Sequence, residues 1–348
     1  MRSVPAAAYL SEMREAFSRA LEAADTQAEA TLRIDDVAIR LVLAGSRIAS
    51  AVLPALAPVL VETGPAPAFT VEVWDSATSG VPAPPIPWGA DAAARQGVVR
   101  GYSEGSHRTV VDHGSGTVTV ADLSEGRAVV YARSADEIPA WWRAVPLRLA
   151  LGWAVARPDR QLVHAGAVGE HGRGVLLGGP GGAGKSTVAL ACVEAGMEFA
   201  SDDYVLLTQG PPAEARTVYG TAKLDRWSLG ALPELAMQVG PPSRSDDKAI
   251  VDVHALRPDR VASVLRVSAV VIPSVTGGKR TDLQRVSAAE AVRALAPSTI
   301  FQAPDGSADS LRLISAVARE VPAYSLLLGE DLAEVPPLIR SVAAGSGG

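Results

Sequence analysis

Eight consecutive residues, Gly179, Pro180, Gly181, Gly182, Ala183, Gly184, Lys185 and Ser186, carry the clearest chemical pattern in this 348-residue chain. They fit G-x-x-x-x-G-K-[ST], a loop whose glycines let successive backbone N–H groups turn toward one anion. The helix that follows such a loop adds the positive end of its dipole. The lysine, here Lys185, bridges the β- and γ-phosphates of a nucleotide, and the hydroxyl, here Ser186, sits on Mg2+. Thr187 completes the expected nucleotide-binding run. An apolar strand over residues 174–177 before the loop and a helix over residues 185–195 after it supply the context the motif needs, with Gly196 suited to cap the helix.

A second feature lies one helix further on. Asp202 and Asp203 interrupt an apolar run that reads as a strand over residues 199–207. Acids in such a run are costly unless solvated, paired or bound to metal. A metal–nucleotide site needs one carboxylate on the metal, and phosphoryl transfer to a hydroxyl gains from another acting as base. Successive strand residues point to opposite faces, so one acid is expected to face the metal and the other the acceptor. Asp202 joins Ser186 as the metal-side candidate, while the choice of base between the two acids stays open. Lys223 and Lys248 are the cations best placed in sequence to meet phosphates or an acidic acceptor, with Arg226, Arg244 and Arg257 nearby. The segment over residues 297–302 is a candidate for closing over the site.

These stretches together resemble a known family. The matching residues are His164-Ala165-Gly166-Ala167-Val168, then the run from Gly174 through Ser186, then Ala200-Ser201-Asp202-Asp203. A histidine on the strand before the loop, the loop itself and the Asp-Asp pair resemble the core signature of the HPr kinase/phosphorylase family. The likeness to ATP-type phosphoenolpyruvate carboxykinases is more distant. The resemblance covers residues 160–210. It implies a P-loop kinase domain with a mixed sheet, ATP and Mg2+ as cofactors, and His164 close to the phosphates. One of Asp202 and Asp203 would then hold Mg2+, and the other would be the base for an acceptor serine hydroxyl.

The chain also departs from that family. Its later glycine-rich signature, tied to phosphorylase activity and acceptor docking, is not found; the nearest stretch is Tyr219-Gly220-Thr221-Ala222-Lys223-Leu224, followed by Arg226. The resemblance is therefore to divergent HPr-kinase-like proteins found beside biosynthetic genes, some of which phosphorylate a serine of a precursor peptide. The expected activity is transfer of the γ-phosphoryl group to a serine or other hydroxyl of a small protein or peptide. A small-molecule hydroxyl kinase is the alternative within the same chemistry, and a non-catalytic nucleotide-binding regulator the alternative outside it. The family forms hexamers, which leaves a homo-oligomer open here.

The elements that must hold these groups form an α/β chain in two parts. Residues 1–156 read as an α+β domain for recognition or oligomerisation, residues 157–344 as the P-loop catalytic domain, and residues 345–348 as a frayed tail. In the first part, Leu10, Met13, Phe17 and Leu21 recur at helical spacing over residues 9–24. A strand is expected over residues 38–43, a short helix over 48–53 ended by Pro54, and a strand over 69–74. An antiparallel meander follows over 97–102, 109–112, 117–122 and 128–132, then a helix over 140–156 that Pro146 splits or kinks. In the second part, strands are expected over residues 161–168, 264–272 and 323–328, and helices over 288–295, 308–321 and 338–344.

Composition limits the remaining classes. Hydrophobic residues make up 48% and charged residues 20%, which suits a sizeable core. The net charge of −6 offers no general basic field, so nucleic acid is not the expected partner. The single cysteine, Cys192, excludes an internal disulfide and a cysteine-based zinc pattern, and falls inside the helix after the loop as a core residue. Glu12 and Glu15 interrupt the early apolar stretch, and the run over residues 51–61 contains Pro54 and Pro58, so neither reads as a signal or membrane segment. A cytoplasmic protein is the expectation.

Overall fold

The computed structural model describes residues 5–94, 96–239, 248–302 and 307–345. Arg244 and the tail after residue 345 lie outside the described residues. The chain divides into two compact units, Met1–Val155 and Ala156–Gly348, both of mixed α/β type. No helix among the described residues is long and apolar enough to cross a membrane.

The first unit runs α1 (Ala6–Ala23), β1 (Gln27–Ile34), β2 (Val37–Ala44), α2 (Ser46–Leu56), β3 (Leu60–Val61), β4 (Phe69–Asp75), α3 (Ser76–Ser79), β5 (His107–Asp112), β6 (Thr117–Asp122), β7 (Arg127–Ala132), α4 (Ala140–Ala144) and α5 (Arg148–Val155). Its seven strands lie in the order β3-β1-β2-β4-β7-β6-β5. The meander β5-β6-β7 is antiparallel, but β4 pairs parallel to both β2 and β7, so the sheet is mixed. Tyr9, Leu10, Met13, Ala16, Phe17 and Ala20 of α1 are buried in one cluster with Val42, Ala44, Trp74, Val120 and Val129 of the sheet. That is the burial expected when a 3.6-residue stripe meets one face of a period-2 surface.

Two local expectations need correction and a third is met. Pro54 lies inside α2 rather than ending it: a proline near a C-terminus forfeits one hydrogen bond, and the buried Val52, Ala55 and Leu56 carry the helix past it. Residues 97–102 form no strand; positive φ at Gly97 and Gly101 turns the chain, leaving only isolated bridges at Val98 and Val99. The helical segment expected over residues 140–156, with Pro146 splitting or kinking it, is indeed split there into α4 and α5, separated by Val145, Pro146 and Leu147, the last at φ 58°.

The second unit runs β8 (Arg160–Val163), β9 (Gly166–Glu170), β10 (Arg173–Leu177), α6 (Lys185–Glu194), β11 (Glu198–Ser201), β12 (Val205–Thr208), β13 (Glu214–Arg216), β14 (Thr221–Leu224), α7 (Arg226–Ala231), α8 (Pro233–Val239), β15 (Ala249–Asp252), α9 (Val253–Leu256), β16 (Val264–Gly278), β17 (Asp282–Val286), α10 (Ala288–Gln302), α11 (Ser307–Glu320), β18 (Ala323–Gly329) and α12 (Val335–Ala343). Nine strands form one sheet with the path β11-β9-β10-β16-β13-β12-β8, and β18 and β17 branch from β16. The long strand β16 runs parallel to β10 and β18 and antiparallel to β13. Along it, Ala269 and Val271 enter one apolar cluster while Val270 enters another, the alternation of a sheet covered on both faces. Residues of α6 and α12 share the first cluster, and residues of α10 and α11 the second. Strands β14 and β15 pair separately.

Candidate active site

The loop between β10 and α6 begins where Gly178 N–H donates to Val271 O on β16 at 3.0 Å. Gly179 and Gly184 then adopt φ of 144° and 100°, in the region that favours glycine. Gly184 is constrained twice, because a Cβ there would also stand 2.6 Å from Leu328 Cδ1. Helix α6 starts at Lys185, whose ammonium folds back to donate to Gly179 O at 2.7 Å and Pro180 O at 3.1 Å. Burial pushes this ammonium below the usual lysine range. The charges of Asp203 and Asp202 oppose that push, and those of Lys248 and Lys223 add to it. Ser186 is half-buried beside it. The Thr187 hydroxyl meets Ser228 Oγ of α7 at 2.8 Å. The burial of Cys192 pushes its thiol up to about 12, in keeping with a core residue.

The strands expected over residues 161–168 and 199–207 are each broken in two, and the candidate residues occupy the breaks. His164 and Ala165 separate β8 from β9, and Asp202, Asp203 and Tyr204 separate β11 from β12. The interruptions face each other, since Val163 pairs with Val205 on one side and Ala167 with Ser201 on the other. The physical reason lies in the acids: a ladder offers a buried carboxylate no spare donors, so the backbone leaves the ladder where donors exist.

With the strand broken, the alternating-face argument for Asp202 and Asp203 no longer applies. Both carboxylates meet Lys223, which lies on β14. The Lys223 backbone N–H donates to Asp202 Oδ2 at 2.9 Å, and its Nζ donates to Asp203 Oδ2 at 2.7 Å. Asp203 Oδ1 lies 2.9 Å from His164 Nε2. The structure thus brings His164, Asp202, Asp203 and Lys223 together, with Lys185 near enough to feel all three charges.

The two acids are electrostatically unlike. Burial works to raise the Asp203 carboxyl, but the His164 hydrogen bond and the Lys223 charge overcome it and hold Asp203 well below the usual carboxylate range. Burial, and then the neighbouring charge of Asp203, push Asp202 above that range; Ser186 and Lys223 offset this only in part. Asp202 is 1% exposed, and its Oδ1 has no hydrogen-bond partner. A buried carboxylate oxygen left without a donor, beside a hydroxyl at the start of α6, suits a cation. Among the described residues no group of three His, Cys, Asp or Glu side chains forms a cation cage. Mg2+ matches this donor set, since it binds through one or two carboxylates together with substrate phosphates and water.

No family model matches the chain, and no curated protein matches it. Among solved structures, the HPr(Ser) kinase/phosphatase from Coxiella burnetii aligns with 53% of this chain and 95% of its own, at 14% identity and a TM-score of 0.29. A likeness that slight carries no functional argument, which rests instead on the residues above.

Three residues that meet the breaks have no role assigned from the sequence, although two of them lie in the segment singled out there. Thr299 Oγ1 accepts the backbone N–H of His164 at 3.0 Å. Tyr204 packs edge-on to the His164 ring at 5.2 Å between centroids, and its hydroxyl meets Gln302 Oε1. Thr299 and Gln302 lie in the segment expected to close over the site, which forms the end of α10; that helix, expected over residues 288–295, continues through Pro297. Lys248 is exposed just before β15, and its charge reaches Lys185. Arg257 is engaged with Glu194 at 3.2 Å, and exposed Arg226 opens α7.

Proposed function

We propose that this chain is an ATP- and Mg2+-dependent kinase that transfers the γ-phosphoryl group to a serine or other hydroxyl of a small protein or peptide. The observation that carries this reading is Asp203, held ionised between His164 and Lys223 beside the glycine-rich loop. In this reading the loop amides and the start of α6 receive the phosphates. Lys185 exchanges its two loop carbonyls for phosphate oxygens and stabilises the charge that develops on them. Ser186 and Asp202 would hold Mg2+, which when bound would supply neutralising charge to the phosphates.

Asp203 orients the acceptor hydroxyl and takes its proton as the new oxygen–phosphorus bond forms and the bond to the leaving diphosphate breaks. A carboxylate so weakly basic would be a poor base for early proton removal. It suffices here because the transition state of phosphoryl transfer is largely dissociative, so orientation counts for more than basicity. His164, hydrogen-bonded to the same carboxylate, holds its direction. Lys248 is an exposed cation available to an acidic acceptor or a terminal phosphate.

Asp203→Asn and Lys185→Ala test the assignment. Each is expected to abolish phosphoryl transfer from labelled ATP to hydroxyl acceptors with the fold intact by circular dichroism. Full transfer by both variants would overturn the reading.

A further inference from the structure

Where two strands break at the same level, the backbone groups inside the break lose their ladder partners and must find others. Around His164 those partners can be traced. Ala165 N–H donates to Val163 O at 3.0 Å, closing a tight turn centred on His164. Ala165 O accepts the Ser201 hydroxyl at 3.2 Å. His164 N–H donates to Thr299 Oγ1, on a helix 135 residues away in sequence.

Thr299 is suited to that task alone. It is 1% exposed, and its own hydroxyl proton is committed to Leu295 O at 2.9 Å one turn back along α10. The oxygen is therefore left as an acceptor, aimed at His164. Three residues on, Gln302 meets the hydroxyl of Tyr204 in the opposing break, and the Tyr204 ring lies against the His164 imidazole. The last turn of α10 thus contacts both breaks.

We propose that Thr299 is a positioning residue: by holding the backbone of the His164 turn, it sets the imidazole on Asp203 and so aligns the acceptor-activating pair. The proposal rests on the kinase reading for its effect on rate, but its geometric content stands apart from it. Thr299, 1% exposed, is closed off from any substrate. Without its oxygen, His164 N–H keeps no acceptor in a buried place, and the turn must shift to find one. Displacements of about 1 Å at such a pair cost on the order of 100-fold in rate.

Thr299→Val, close in shape but without the acceptor, is the test, with Thr299→Ser as the rescue. Thr299→Val is expected to lower kcat by roughly 100-fold while KM for ATP stays within about twofold, because the loop is not touched. Thr299→Ser is expected to retain the wild-type kcat. In a His164→Ala background, Thr299→Val should have no further effect, since both act through one side chain. An unchanged kcat in Thr299→Val, or the same fall in both backgrounds, would overturn the proposal. If Thr299→Val does not fold, Thr299→Cys takes its place with a weaker acceptor and the same expected direction. Should the wild-type protein transfer no phosphoryl group at all, the kinase reading fails, and a crystal structure of the variant decides the positioning claim. A lengthened His164 Nε2 to Asp203 Oδ1 distance would uphold it, and one retained at the wild-type 2.9 Å would overturn it.

Discussion

His164 Nε2 and Asp203 Oδ1 lie 2.9 Å apart across two facing strand breaks, although 39 residues separate them in sequence. Neither break serves the sheet, which loses ladder hydrogen bonds at both. What the breaks allow is a buried imidazole–carboxylate contact. His164→Ala should therefore reduce single-turnover phosphoryl transfer by roughly 100-fold, the usual cost of misplacing a reacting group by about 1 Å. Transfer at the wild-type rate would remove His164 from the account.

Lys223 supplies the countercharge for Asp203 at 2.7 Å, with the two side chains only 13% and 16% exposed. Lys223→Met leaves its backbone bond to Asp202 in place but strands the Asp203 charge. Breaking a buried pair in this way costs about 3–5 kcal/mol. Urea denaturation should show a loss of that order, and Asp203→Asn added to Lys223→Met should restore part of it. Independent, additive losses would contradict the pairing.

Asp202 makes stability depend on pH in a stated direction. Its folded-state value is raised by burial and by Asp203, above the ordinary carboxyl value of about 3.9. The stabilisation linked to this group is therefore complete below about pH 3.9 and is lost as pH rises through the folded value. Asp202→Asn removes that titration. Without ligand, the variant should melt higher than wild type at pH 7 to 8, with the gap closing toward pH 4. Mg2+ with ATP should raise the melting temperature of the wild type far more than that of the variant. Melting curves that run parallel across this pH range would contradict the assignment.

Gly184 tests the loop itself. Its φ of 100° and the 2.6 Å approach of Leu328 to any added Cβ make Gly184→Ala strained on two counts. A loss of about 1–3 kcal/mol in stability is expected, together with weakened ATP binding by calorimetry. Unaltered binding would show that the loop tolerates another shape and does not cradle the phosphates as described.

The sequence made the elements legible where a local pattern determines them. The α1 stripe, the β5-β6-β7 meander, the strand–loop–helix around Gly179 to Lys185 and the alternating β16 all follow from periodicity or glycine chemistry. It did not reveal the breaks. Residues 161–168 have the apolar content of an unbroken strand, and although the acids mark residues 202 and 203 as a costly point in theirs, only the pairing of β8 with β12 and of β9 with β11 shows that both strands open there. For the same reason Asp202 and Asp203 appeared to face opposite ways, whereas both meet Lys223. Thr299 was illegible because its role is a single long-range backbone contact. The helix expected over residues 288–295 also stops short of it, where α10 in fact runs on through Pro297 to Gln302. Lys223 was recognisable as a cation near the site but not as the partner of Asp203.

The central claim is that the groups around the glycine-rich loop carry out phosphoryl transfer to a hydroxyl. The most direct measurement is single-turnover transfer of label from γ-labelled ATP with Mg2+, offered in parallel a degenerate serine- and threonine-containing peptide library and a panel of hydroxyl metabolites. The account predicts covalent label on serine or threonine of the peptides with the wild-type protein and none with Asp203→Asn. Tight ATP binding with no label on any acceptor, or equal labelling by wild type and Asp203→Asn, would contradict it.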